Sequence, residues 1–214
     1  ATAAAPNDVQ VQLAYLRALV GAGLQRQVGR QAMVQKKLAL ASGRTSLVFA
    51  EILTHDAMPA VHAILCEEAL AKAEAGGVDG RQLSALRYVV QARCAEDAKA
   101  AKATMDDYVQ HLNSTINDDC WYFMTRLPTM GRFDWFAAAL ADRMLEDRPN
   151  MGYHEFDTAA LAKFLAGKVG EAVELQETSI RQGAQGNAEY AERLERYRKI
   201  AAEQAAEPKA KAGR

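Results

Sequence analysis

Proline is scarce in this chain, with five in 214 residues, and runs of β-branched residues are scarcer still. Few helix breakers, few strand formers and an excess of Ala, Leu, Glu, Gln, Lys and Arg make the chain read as helix nearly throughout, with no sheet. Neither charge is in excess: 26 Lys and Arg stand against 27 Asp and Glu, a formal charge of −1. That balance removes the basic stripe that phosphate binding needs, so no nucleic-acid partner is expected. Apolar runs are short, none approaching the ~20 residues that span a bilayer; no membrane insertion is expected, and the chain reads as soluble. Cysteine is limited to Cys66, Cys94 and Cys120, an odd count without a Cys-x-x-Cys pair. A redox dithiol and a complete disulfide framework are thereby excluded, leaving buried free thiols.

What the chain does have is half its residues apolar, enough for an extensive core, and a spacing. Gly23 and Gly131 are 108 residues apart, three times the 36 that separate Gly131 from Gly167. Each follows one apolar segment of helical pattern and precedes another, which predicts helix-turn-helix units that build a core only by stacking on neighbours. Two further turns are then expected, near 59 and near 95. Asp56 to Pro59 supply the first, whereas nothing breaks the pattern near 95, so residues 79–112 read as one long helix or as two. The resulting units cover about 8–42, 45–76, 79–112, 116–148 and 154–183, with a capping helix over 187–204, all in one domain, 1–204. Residues 205–214 lack core-forming side chains and read as a flexible tail.

Local signals refine these limits. Asn7-x-x-Gln10 and Asp79-x-x-Gln82 place acceptors over first-turn amides. The first helix then carries a stripe of Leu13, Leu16, Leu19 and Val20, and its partner presents Val28, Ala32, Leu38 and Met33 before Ser42-Gly43 ends it. Gly76-Gly77 closes the second pair; Pro128, Gly131 and Pro149 punctuate the fourth. Tyr190, Leu194, Tyr197 and Ala201 form one stripe on an otherwise polar last helix.

The fifth unit, 162-AKFLAGKVGEAVELQETSI, resembles a tetratricopeptide repeat: Gly167 stands at the turn, Ala172 where the two helices touch, and Phe156 near the start of the first helix. The fourth unit has Phe136 in the place of that Ala and the first has Val28, which implies wider helix separation there. The stretch from Trp121 onward also resembles the helical repeat region that follows thioredoxin-like domains in some bacterial proteins. The resemblance implies an all-α solenoid of antiparallel helix pairs whose first helices line a groove for a peptide or partner protein. Carried onto this chain, it implies Arg17, Phe49, Asp118, Trp121, Asp157 and Leu161 as groove-facing residues. Phe49 and Trp121 also read as core at helical spacing, and a lone Asp or Arg as a solvated face. The opening ATAAAP lacks Met, which fits a processed export signal, a trimmed initiator or a piece of a longer chain, and bacterial cytoplasm and periplasm are both compatible.

Constellations for chemistry are sparse. His62 and Cys66 share a helix face but lack further ligands in sequence reach. Asp118, Asp119 and Cys120 would lie beside His154 and Glu155 in the stack, although carboxylates at helix starts already serve as caps. No phosphate loop, zinc-protease motif or nucleophile elbow occurs, and Ser46, Ser84, Ser114 and Ser179 have no neighbouring His in sequence. No catalytic residue, metal ligand or cofactor is therefore assigned, and a non-catalytic interaction module is expected. The alternatives are a helical ligand-binding or catalytic domain, with Trp121, Tyr122, Phe123, Phe133, Trp135 and Phe136 around a pocket near Asp118 and His154, or an accessory subunit of a larger assembly.

Overall fold

The computed structural model describes residues 8–54, 63–126 and 131–206, and among these every regular element is helical. The chain divides into two compact units, Ala1–His111 and Leu112–Arg214. The first holds α1 (Val9–Gly21), α2 (Gln25–Ala39), α3 (Gly43–Leu53), α4 (Ala63–Ala75), α5 (Gly80–Val89) and α6 (Ala98–Gln110). The second holds α7 (Ile116–Thr125), α8 (Asp134–Leu145), α9 (Tyr153–Leu165), α10 (Val169–Ser179) and α11 (Ala188–Ala206).

Helix starts are set by side-chain acceptors. Asp8 caps α1, its Oδ1 accepting from the amides of Gln10 at 2.9 Å and Val11 at 3.2 Å, while Asn7, the expected cap, lies outside the described residues. Ser42 opens α3 rather than ending α2, because its hydroxyl and that of Thr45 form a reciprocal capping box. Asp79 caps α5 as its spacing predicts. Helix ends are set by backbone geometry. In α1, α4 and α9 the residue after the terminal glycine donates to a carbonyl five positions back: Leu24 to Leu19, Val78 to Ala73 and Lys168 to Lys163. This closure needs a left-handed residue, and Gly23, Gly77 and Gly167 supply it with φ of 69°, 72° and 78°.

The ambiguous stretch 79–112 is two helices. After Val89 the backbone widens into a π-type turn, Val90–Cys94, in which the Ala95 amide bonds Val90 O at 2.9 Å; Glu96 then takes φ 53° and Asp97 caps α6 through the Ala100 amide. No glycine or proline marks the break because Glu96 itself holds the left-handed position. The expected break at Asp56–Pro59, His62, Pro128 and residues 207–214 of the tail lie outside the described residues.

Within the first unit α1 packs on α2 and α3, α3 on α4 and α5, and α5 on α4 and α6. The N-terminus of α3 meets the C-terminus of α4 so closely that a Cβ on Gly43 would stand 2.8 Å from the Gly76 Cα; the two helices run antiparallel with backbones in contact. Leu16, Val28, Ala32, Phe49, Leu53, Cys66 and Leu70 are fully buried there. Met33 is not: 140° around the helix from Val28 by the 100° step of an α-helix, it is 61% exposed, and the inward position is taken by Gln35, whose amide donates to Gln12 Oε1 at 3.0 Å. In the second unit α7 packs on α8 and α9, α9 on α8 and α10, and α10 on α11. Phe123, Phe133 and Phe136 meet edge to face with ring centroids 5.2 to 5.5 Å apart and fill the space between α7 and α8.

Candidate functional site

The 36-residue spacing becomes physical contact in the second unit. His154 Nδ1 on α9 lies 3.1 Å from the Tyr190 hydroxyl on α11, and Asp157 on α9 ion-pairs with Arg193 on α11; both pairs are 36 apart in sequence. Trp121, a further 36 residues before Asp157, sits on α7 with its ring 6.0 Å from the Arg193 guanidinium. Successive turns at equal intervals thus bring α7, α9 and α11 to one surface, where position 121, 157 or 193 falls in turn.

Asp157 is 4% exposed, an expensive place for a carboxylate unless its oxygens are satisfied. Oδ1 accepts from the Gln176 amide of α10 at 2.9 Å, and Oδ2 receives Nη1 of Arg193. Arg193 also reaches Glu189 Oε1 at 2.6 Å and lies over the Tyr190 ring at 5.6 Å. Desolvation of the guanidinium is outweighed by Asp157, so its pKa is raised and it stays cationic. Burial pushes the hydroxyls of Tyr190 and Tyr197 up, and the Asp157 charge adds to the shift in both. Beyond them Phe164 stacks on Tyr197 with centroids 4.3 Å apart, and the Arg196 guanidinium lies 5.2 Å from the Phe164 ring centroid.

The six residues implied as groove contacts are placed differently from one another. Arg17 is 57% exposed on α1 and reaches Glu51 of α3 at 3.5 Å. Phe49 is fully buried, and Asp157 nearly so, leaving neither with surface to offer a ligand. Asp118 is exposed and completes the α7 capping box with Thr115, whose hydroxyl accepts from the Asp118 amide at 3.1 Å. Trp121 and Leu161 are half-buried. Asp118 and His154 are thus engaged with Thr115 and Tyr190 respectively.

Two charged residues of the second unit escaped the sequence reading. Arg193 could have been found by adding one more interval to Asp157. Lys163, in the otherwise apolar run TAALAKFLAG, is 1% exposed, its ammonium held by Asp142 of α8 and by Glu171 of α10 at 3.1 Å. Desolvation alone would lower its pKa, but the two carboxylates outweigh it and the pKa is raised.

A separate cleft of about 370 Å³ opens where the start of α7, the end of α8 and the start of α9 meet, lined by Thr115, Asn117, Arg143, Asp147, Met151 and Glu155 among others. Three of the four serines considered as nucleophiles donate elsewhere: Ser46 to Ser42 O at 2.8 Å, Ser114 to Asp119 Oδ1 at 2.6 Å and Ser179 to Tyr153 O at 2.7 Å. Burial raises the thiol pKa values of Cys66, Cys94 and Cys120, the last to about 12 with Asp119 assisting, which suits packing rather than nucleophilic chemistry. Among the described residues no group of three His, Cys, Asp or Glu is arranged to hold a metal, and no helix is long and apolar enough to cross a membrane. Set against protein-family models, curated proteins and solved structures, the chain matches none.

Proposed function

We propose that the chain is a non-catalytic interaction module, a short solenoid of helix pairs similar to tetratricopeptide repeats, which binds a peptide or partner protein along its first helices. The observation that carries this reading is the juxtaposition at one interval of 36: Trp121, Asp157 and Arg193, and again His154 and Tyr190, meet across α7, α9 and α11. In the first unit the first helices also touch in succession, α1 on α3 and α3 on α5, as stacked pairs require. Within each unit such a row offers a surface built from separate helices, suited to an extended ligand. Arg17, Asp118, Trp121 and Leu161 are the implied contacts that retain exposed surface. Asp157 acts beneath it, holding Arg193 over the Trp121 ring.

A closed aromatic pocket is the weaker reading, since Phe123, Phe133 and Phe136 pack against one another. The test is selection of a displayed random-peptide library on the purified chain. Peptides that lose about tenfold or more in affinity with Trp121→Ala or Leu161→Ala, and none with Lys99→Ala on α6, support the groove, because buried anchors of this type dominate binding energy. Selected peptides indifferent to both substitutions would contradict it.

A further inference from the structure

The cleft between the start of α7, the end of α8 and the start of α9 is lined by groups whose bonding is incomplete. Arg143, in the last turn of α8, gives Nη1 to Glu146 Oε2, while its Nε is buried without a partner. The Nε–Nη2 side of a guanidinium is a fork that takes a carboxylate through two parallel hydrogen bonds. Acceptors line the same cleft. Asn117 Oδ1, in the first turn of α7, is buried and receives no donor. Asp147 accepts from Asn150 Nδ2 through Oδ1 at 2.7 Å, and Glu155 accepts from the Gly152 amide through Oε2 at 3.1 Å, so each carboxylate keeps its second oxygen for another donor. Ile116 and the buried Met144 and Met151 supply the apolar part of the wall. The orphaned donor and acceptor are costly where they stand. Arg143 has 38% of its side chain exposed and Asn117 is half-buried, so a small rotation of either turns its unpaired atom toward the opening.

We infer that this cleft is a binding site for a free α-amino acid with an apolar side chain. The ligand's carboxylate takes the open fork of Arg143, its ammonium donates to Asn117 Oδ1 and to the second oxygens of Asp147 and Glu155, and its side chain lies on Met144 and Met151. A simple anion would meet the two carboxylates and a simple cation would meet Arg143; either leaves one orphaned atom unsatisfied. A zwitterion satisfies both. A residue inside a peptide lacks both charges, so the site selects free amino acids against peptides. The volume of about 370 Å³ falls at the small end of ligand sites, which run from roughly 300 to 1,000 Å³. None of the lining residues is among the peptide contacts Arg17, Asp118, Trp121 and Leu161, and either proposal can fail without the other.

The test is an NMR titration of the isotopically labelled chain with L-valine, L-leucine, L-isoleucine, L-methionine and L-phenylalanine, each to about 10 mM. At least one should saturate in that range and shift the amides of Asn117, Met151 and Glu155. For that amino acid, N-acetylation and carboxyl amidation should each weaken binding about tenfold or more, since each removes a charge-assisted contact. Arg143→Gln should weaken the free amino acid by a similar factor and leave the amidated form unchanged. Glu155→Gln, whose amide oxygen keeps the Gly152 cap, should weaken the free form and leave the N-acetylated form unchanged. The blocked ligands are read on the wild-type chain, so the test stands even where a variant fails to fold. No shift at these amides from any of the amino acids, or blocked forms that bind as well as the parent, would overturn the proposal. Putrescine or inorganic phosphate binding at the same amides as tightly as the amino acid would also overturn it, by assigning the cleft to a simple cation or a simple anion.

Discussion

Asp157 and Arg193 are buried to different degrees, with 6% and 14% of their side chains exposed, and each satisfies the other. Removing only the carboxylate in Asp157→Ala leaves the guanidinium to Glu189 alone and the Gln176 amide without its acceptor, and urea denaturation should show a loss of about 1.5–3 kcal/mol. Replacing both, as Asp157→Leu with Arg193→Met, should cost far less; equal losses would mean that the pair does not act as a unit. Lys163 differs, since its partners Asp142 and Glu171 are 57% and 53% exposed and regain water once the ammonium is gone. Its pKa is raised above the ordinary 10.5, so its contribution is complete below that value and is lost as pH rises through the folded pKa. The raised pKa values of Tyr190 and Tyr197 act in the same direction, the unfolded chain releasing those protons first. Stability should fall above about pH 10, and Lys163→Met should flatten the part of that decline due to the lysine; an unchanged slope would contradict the assignment. Cys66, Cys94 and Cys120 should resist thiol labelling at pH 8 while a free-cysteine peptide reacts to completion, and all should label in urea.

At the scale of the elements, turn chemistry decides where helices stop. Gly167→Ala forces a side chain into φ 78° and should cost about 1 kcal/mol, whereas Gly170→Ala, in the first turn of α10 with no heavy atom within 4 Å of the new Cβ, should be neutral or stabilising by up to about 1 kcal/mol. Urea midpoints for the two variants moving in the same direction would contradict this account of the turn. These glycines were legible in the sequence because no other residue takes that backbone at low cost. The break at Glu96 was not, since a π-type turn and a left-handed glutamate leave no compositional mark. Ser42 was misread for a related reason: Ser followed by Gly suits a helix end as well as a start, and the reciprocal bond to Thr45 decides. Met33 is apolar and close in sequence to the buried stripe, but the 100° step from Val28 turns it outward.

At the scale of the whole molecule, the all-helical class was legible from composition, whereas the meeting of Arg193 with Asp157 and Trp121 at the interval of 36 emerges only from the structure. Which members of that surface would be buried was not legible, because burial depends on how far α11 reaches across: Arg193 seals Asp157 and leaves Trp121 half open. Phe49 shows the same limit, since an aromatic on a first helix can point into the row or beneath it. Lys163 shows a further one, its burial depending on carboxylates from α8 and α10 that no local pattern connects. The central claim, that first helices carry the binding surface, is tested most directly by the NMR chemical-shift footprint of a library-selected peptide on the isotopically labelled chain. The account predicts shifts concentrated on first helices, at Arg17 on α1 for a peptide held by the first unit, or at Asp118, Trp121 and Leu161 on α7 and α9 for one held by the second. Shifts confined to the cleft around Asn117, Arg143 and Glu155, or to α2, α4 and α6, would contradict it.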